Sequence, residues 1–141
     1  MSHMSSVALM WRLNESRYNM IGTKCTTCNG LYFPPKSLCP ECRRKGAVTS
    51  YKFSGNGEIE TFTIIHNAPK GFEEQVPYII AIIKTDGNVR ISGQIIDVDV
   101  NEIEKKNVDL IGKKVSHVFR KLSQDDINGL IHYGLKWQIE E

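Results

Sequence analysis

Residues 25–42 read Cys25-Thr-Thr-Cys28-Asn-Gly-Leu-Tyr-Phe-Pro-Pro-Lys-Ser-Leu-Cys39-Pro-Glu-Cys42, and all four cysteines of the chain lie inside this stretch. Each two-residue spacer lets the backbone curl so that both sulfurs point at one centre, and two such knuckles complete a tetrahedral set of four thiolates. Zinc is the default ion for that set, and iron fits the same ligands. A pair of disulfides would require an oxidising compartment. A redox-active CxxC would need a strand-to-helix setting and would leave the second pair unexplained. Four thiolates leave no open coordination position, which makes the site structural rather than hydrolytic. The apolar content around the cysteines is Leu31, Tyr32, Phe33 and Leu38, too little for a core, so the metal is expected to fold this module. Asn29-Gly30 supplies left-handed backbone after the first pair and Pro40 stiffens the second, whereas Arg43-Arg44 is a less comfortable continuation.

Working outward, residues 7–19 contain no Gly or Pro and place Met10, Leu13 and Trp11 within helical reach, which predicts a short helix. Its apolar face is expected to pack on the rest of the chain or on another protein. Ser54-Gly55-Asn56-Gly57 is a dense cluster of breakers and the natural boundary between modules. Beyond it, residues 58–67 are rich in Ile, Thr and Phe, and residues 78–84 form a continuous apolar run of strand length. Asp86-Gly87-Asn88 predicts a tight turn into a third strand over residues 89–97. Asn101 and Glu104 suggest a capped short helix ending near Lys105-Lys106. Residues 114–121 and 130–139 complete the set, the last with Ile131, Tyr133, Leu135, Trp137 and Ile139 on one face and His132, Gly134, Lys136 and Gln138 on the other.

Three strands, a short helix and two further strands, with a long loop over residues 68–77, are the element order of an OB barrel. A plain five-stranded antiparallel sandwich is the alternative. The expected architecture is therefore mostly β: an amino-terminal helical arm over residues 4–22, a rubredoxin-like zinc ribbon over 23–54 and a five-stranded OB-fold domain over 55–141. Met1 to His3, ahead of Met4, look like an expression remnant.

The chain has 141 residues, 40% hydrophobic and 24% charged, with a net charge of +2. That composition excludes global disorder. The longest apolar run, residues 76–83, is interrupted by Pro77 and falls far short of the ~20 residues that cross a bilayer, so no membrane partner is expected. No export signal is legible at the amino end, and a cytoplasmic location follows as the expectation. The charge is unevenly distributed. Residues 1–56 hold eight Lys/Arg against Glu15 and Glu41, a formal +6, while the remainder sums to −4. Binding a dication to four thiolates lowers the ribbon part by two charges and brings the whole chain near neutrality.

Catalytic constellations are scarce. His66, His117 and His132 each fall on an expected strand; His132 is read as meeting solvent and His117 as a satisfied inward histidine. Asp125-Asp126 and Glu73-Glu74 are read as solvated loop acids. Neither a phosphate-cradling glycine loop nor a nucleophile elbow is present in the sequence. Nucleic acid is the rival class of partner, since ribbons and OB folds often bind it, but residues 78–97 offer one aromatic, Tyr78, and two cations, Lys84 and Arg90.

Trp11-Arg12, Arg17-Tyr18, Gly22-Thr-Lys-Cys25-x2-Cys28, Phe33-Pro34-Pro35-Lys36, Cys39-Pro-x-Cys42, Gly55-x-Gly57, Pro77-Tyr78, Ile111-Gly112 and Tyr133-Gly134 together resemble the family of zinc-ribbon, OB-fold, acyl-CoA-associated proteins of archaea and bacteria. The likeness runs from about Trp11 to Trp137. It implies a non-catalytic small subunit that accompanies thiolase and, in archaeal assemblies, hydroxymethylglutaryl-CoA synthase, and that helps enclose a shared CoA site. CoA carries phosphates that favour Lys and Arg and a slim pantetheine arm that favours a groove. Lys36, Arg43 and Arg44, with Lys70 and Phe72 of the long loop as a wall, are the acyl-CoA contacts this role would need. The departure from the family pattern is Cys42-Arg43-Arg44, where glycine often follows the last cysteine.

Overall fold

The computed structural model describes residues 6–140; the expected expression remnant Met1 to His3 and the start of the expected arm at Met4 lie outside the described residues. The chain divides into two compact units, one ending at Ser54 and the other beginning at Gly55.

The first unit opens with α1 (Val7–Asn19), which ends where Met20 turns left-handed with φ 51°. Met20 is buried, and its carbonyl accepts the Phe53 N–H at 3.0 Å. None of the residues of α1 is buried, and Trp11 is 79% exposed. Three antiparallel strands follow, β1 (Ile21–Cys25), β2 (Leu31–Tyr32) and β3 (Val48–Lys52), in the order β2-β1-β3. The β1–β3 ladder runs from Ile21 opposite Lys52 to Cys25 opposite Val48. Phe53 packs edge-on against Phe33 and Tyr51, with ring centroids 5.8 and 5.1 Å away. This unit thus has more apolar support than residues 31–38 suggested, since Met20, Tyr51 and Phe53 flank the cysteine segment in sequence and join it through the ladder. Leu38, counted with that apolar content, is exposed.

The second unit contains β4 (Asn56–Ile65), β5 (Tyr78–Lys84), β6 (Arg90–Ile96), α2 (Val100–Lys106), β7 (Lys114–Gln124) and β8 (Ile131–Ile139). The strands close into a ring in the order β4-β5-β6-β8-β7, with β6 and β8 parallel and the other pairs antiparallel. This is the OB-fold expected from the element order. β-branched residues dominate β4 and β5, whose pleated faces they fill well. Ile79, Ala81 and Ile83 alternate into the core opposite Ile95, Gly93 and Ile91 of β6. Ile59, Val115 and Trp137 are also buried, and α2 contributes Ile103. The Trp137 indole lies close against β6 at Gly93, where a Cβ would stand 2.3 Å from the indole Cδ1.

Three local expectations need correction. The cap of α2 is Asp99, whose side chain accepts the Glu102 N–H at 3.2 Å, two residues before the expected Asn101. β7 runs on to Gln124, three residues beyond the expected end, with a register shift between Lys121 and Ser123. β8 also does not sort its faces as a simple alternation predicts: Ile131 and Tyr133 are exposed, while Lys136 is buried. The reason is geometric. β8 meets β6 only at Trp137 and Gln138, and β4 meets β7 only over residues 114–116. The rest of β7 and β8 is a two-stranded hairpin that outruns the ring, so the face that is interior at Trp137 is left uncovered at Tyr133. There Phe119 and Tyr133 stack on each other at 5.6 Å, 48% and 45% exposed.

Candidate functional site

The sulfurs of Cys25, Cys28, Cys39 and Cys42 all lie within 4.8 Å of one another, and those of Cys28 and Cys39 are 3.6 Å apart. A tetrahedron with metal–sulfur bonds near 2.3 Å has edges of about 3.8 Å, so the donor set fits one four-coordinate ion such as zinc. Cys25 ends β1, and the turn after it closes with the Cys25 N–H donating to Gly30 at 2.9 Å. Asn29 takes φ 58° in that turn. The second knuckle uses Arg43 at the left-handed position, φ 51°, with the Arg43 N–H donating to Cys39 O at 2.8 Å. The residue that looked uncomfortable in the sequence therefore adopts the strained geometry without a glycine, at a cost of order 1 kcal/mol or more.

The protonation preferences of these thiols show why a cation is required. Cys39 is lowered to about 6, first by the Cys42 backbone N–H and then by the Tyr32 hydroxyl, which donates to its sulfur at 3.3 Å. Cys25 is also lowered, by the backbone N–H groups of Cys28 and Thr27. Cys42 is pushed up to about 12, first by its sulfur neighbour Cys28 and then by burial. The four sulfurs cannot all be thiolates at neutral pH unless a positive ion stands among them.

Two contributors to this centre were not read from the sequence. In the sequence Tyr32 reads only as apolar content, yet its hydroxyl bonds Cys39. Gly46 sits against the cluster so closely that a Cβ there would lie 2.6 Å from Cys42 Cβ, 3.0 Å from Cys25 Sγ and 3.2 Å from Cys39 Cβ. Its position four residues after Cys42 was the available signal.

The expected acyl-CoA contacts fall in both units. In the first, Lys36 is exposed with its ammonium 5.2 Å from the Tyr32 ring centroid, and Arg43 and Arg44 are exposed. In the second, Phe72 is half-buried with its ring 6.0 Å from Tyr78, and Lys70 is exposed at the edge of a cleft. His117 is held as a satisfied histidine, Nδ1 lying 3.0 Å from Gly55 O. His132 does not meet solvent as expected. Its side chain is 13% exposed and pairs with Asp125 at 2.8 Å, because the hairpin turn folds the loop acid back over it. Among the described residues no helix is long and apolar enough to cross a membrane.

A four-thiolate ribbon in one unit and an OB-fold in the other define a two-unit, metal-binding protein of the zinc-ribbon/OB class. Family models agree with both parts. The model described as the ChsH2 rubredoxin-like zinc ribbon domain matches residues 16–48, and that of the ChsH2 C-terminal OB-fold domain matches residues 50–120. Curated relatives called DUF35 domain-containing scaffold protein are 41% identical in Methanocaldococcus jannaschii, over 94% of this chain and 89% of the relative, and 38% identical in Methanothermobacter thermautotrophicus, over 96% and 97%. A third, in Pyrococcus furiosus, is 36% identical over 94% and 91%. The chain belongs to this family of DUF35 domain-containing scaffold proteins. A solved structure described as Ltp2-ChsH2(DUF35) aldolase shares the fold, with a TM-score of 0.64 and 17% identity over 99% of this chain and 98% of that one.

Proposed function

We propose that the protein is a non-catalytic, zinc-bearing scaffold subunit that associates with a thiolase-type acyl-CoA enzyme in the cytoplasm and helps hold or channel an acyl-CoA. The observation that carries this reading is the near full-length identity, 36–41%, to proteins named as scaffolds. The fold neighbour, whose description joins a DUF35 protein to Ltp2 in an aldolase, supports a role beside an enzyme. The physical features are in keeping with docking: the uncovered Trp11 and the exposed Phe119–Tyr133 stack are apolar groups of the kind that anchor interfaces. The working parts are the arm over residues 4–22, the ribbon over 23–54 and the OB-fold over 55–141. Lys36, Arg43 and Arg44 on the ribbon and Lys70 and Phe72 on the OB-fold are the proposed CoA contacts. Thiolase, with hydroxymethylglutaryl-CoA synthase in archaeal assemblies, is the proposed partner.

A single-stranded nucleic-acid role has less support. Tyr78, the one aromatic on β5 and β6, is buried and offers no stacking face. Purification of the tagged chain from its source cell tests the main reading. A thiolase should co-elute at fixed stoichiometry through size exclusion, and the assembly should retain CoA. Absence of any thiolase-class partner, together with no CoA binding by the chain or its assembly, would sink the proposal. Elemental analysis should return one zinc per chain; iron in its place would change the ion but not the scaffold role.

A further inference from the structure

The second unit carries a cleft of about 690 Å³ between the segment that follows β4 and the end of the β7–β8 hairpin. In OB folds the loops between the first and second strands and between the fourth and fifth strands are the ligand clamps. This cleft lies between those two connections. Lys136, 7% exposed, lines it. Its ammonium donates to Gln75 Oε1 at 3.2 Å, and that same oxygen accepts from Gln94 Nε2 at 3.2 Å. The other end of the Gln75 amide donates to Leu122 O at 3.0 Å, which fixes the amide's orientation. The buried cation thus donates to a neutral amide oxygen that it shares with Gln94.

None of the carboxylates lining the cleft pairs with Lys136. Glu73 accepts the Gly71 N–H at 2.6 Å, Asp125 is taken by His132, and Glu74 and Asp126 are exposed. Burial with no opposing charge holds the Lys136 amine below the usual lysine range. Lysines are almost never kept buried without a counter-charge, because desolvating the ammonium is unfavourable. A retained one, at the place where this fold seats ligands, points to an anion supplied from outside.

We propose that this cleft is a binding site for a short-chain carboxylate, whose oxygens pair with the Lys136 ammonium. The ligand class follows from what surrounds the lysine. The lining has four acids against Lys70, Lys121 and Lys136, so a ligand seated inside the cleft with several negative charges would meet net repulsion, unlike one that touches only Lys70 at its edge. A single carboxylate reaches the buried cation, where screening is weak, and faces the rim acids only through water. Leu122 and Ile127 in the lining give a short alkyl chain apolar contact. This inference does not rest on the scaffold reading.

Titration of the zinc-loaded full chain with butyrate, followed by amide and lysine side-chain NMR, tests it. Saturable shifts should cluster at Gln75, Leu122 and Lys136. Methyl butyrate, which keeps the chain and loses the charge, should bind at least about tenfold more weakly. Lys136→Met should lower butyrate affinity by a similar factor while keeping the dispersed spectrum of the folded protein. Should that variant fail to fold, the comparison of acid and ester on the unaltered protein decides the matter alone. Equal binding of acid and ester, unchanged affinity in folded Lys136→Met, or displacement of butyrate by adenosine 3′,5′-bisphosphate would each overturn the assignment.

Discussion

Replacing Gly46 with alanine inserts one methyl group into the metal centre, and its effect can be worked from the distances. The new Cβ would stand 2.6 Å from Cys42 Cβ and 3.0 Å from Cys25 Sγ. Ordinary contacts between such atoms are about 3.5–4.0 Å, so the Cys42 side must retreat by roughly 0.9 Å or the Gly46 backbone must move by as much. Metal–sulfur bonds tolerate about 0.2 Å. The strain therefore cannot be absorbed in the coordination sphere and falls on the knuckle backbone, where Arg43 already holds φ 51°. Overpacking of this size costs about 1–3 kcal/mol, equivalent to roughly 5- to 150-fold in zinc affinity. Competition against a chromophoric chelator at fixed pH measures it directly. Leu38→Ala, in the same segment but exposed, serves as the control and should leave the affinity unchanged within about twofold. Retention of zinc by Gly46→Ala within the same twofold would refute the reasoning.

Tyr32→Phe removes the hydroxyl that donates to Cys39. Cys39 is held near 6, below the ordinary thiol value of 9.0, so its contribution is fully present above pH 9 and is lost as pH falls through 6. Without the donor, half-loss of metal on acidification should occur at a higher pH, read by the same chelator; an unchanged midpoint would show that the hydroxyl is irrelevant. Gly93→Ala drives a Cβ into the Trp137 indole and should destabilise the OB-fold by about 1–3 kcal/mol in urea unfolding followed by tryptophan fluorescence. Lys136→Met should raise the thermal midpoint at neutral pH, because the native state disfavours the charged amine that the unfolded chain carries freely. Stability of the unaltered protein should climb as pH rises from the lowered Lys136 range toward the ordinary lysine value of 10.5, and this climb should flatten in the variant.

The metal centre was legible because its signal is local. Two CxxC units bring their own sulfurs together whatever the rest of the chain does, and the four sulfurs converge as the spacing requires. The helix over Val7–Asn19 and the strand over Tyr78–Lys84 were equally local, set by the absence of breakers in one and a continuous apolar run in the other. The OB element order followed from their succession. Support for the centre was less visible. Nothing in the pattern around Tyr32 separates an aromatic that packs from one that also donates to Cys39.

By itself, then, the chain's sequence determined what lies within a turn or a strand of its cause: the ligand set, the element types and their order. Tertiary structure decided which face of each strand is inside. Along β8 that choice reverses, since only Trp137 and Gln138 pair with β6 while Tyr133 lies on a hairpin beyond the ring. Alternation specifies two faces but does not say which one a closed sheet will cover. Lys136 shows the same limit: it is buried by Gln75, 61 residues earlier in the chain, and its environment exists only once the ring has closed.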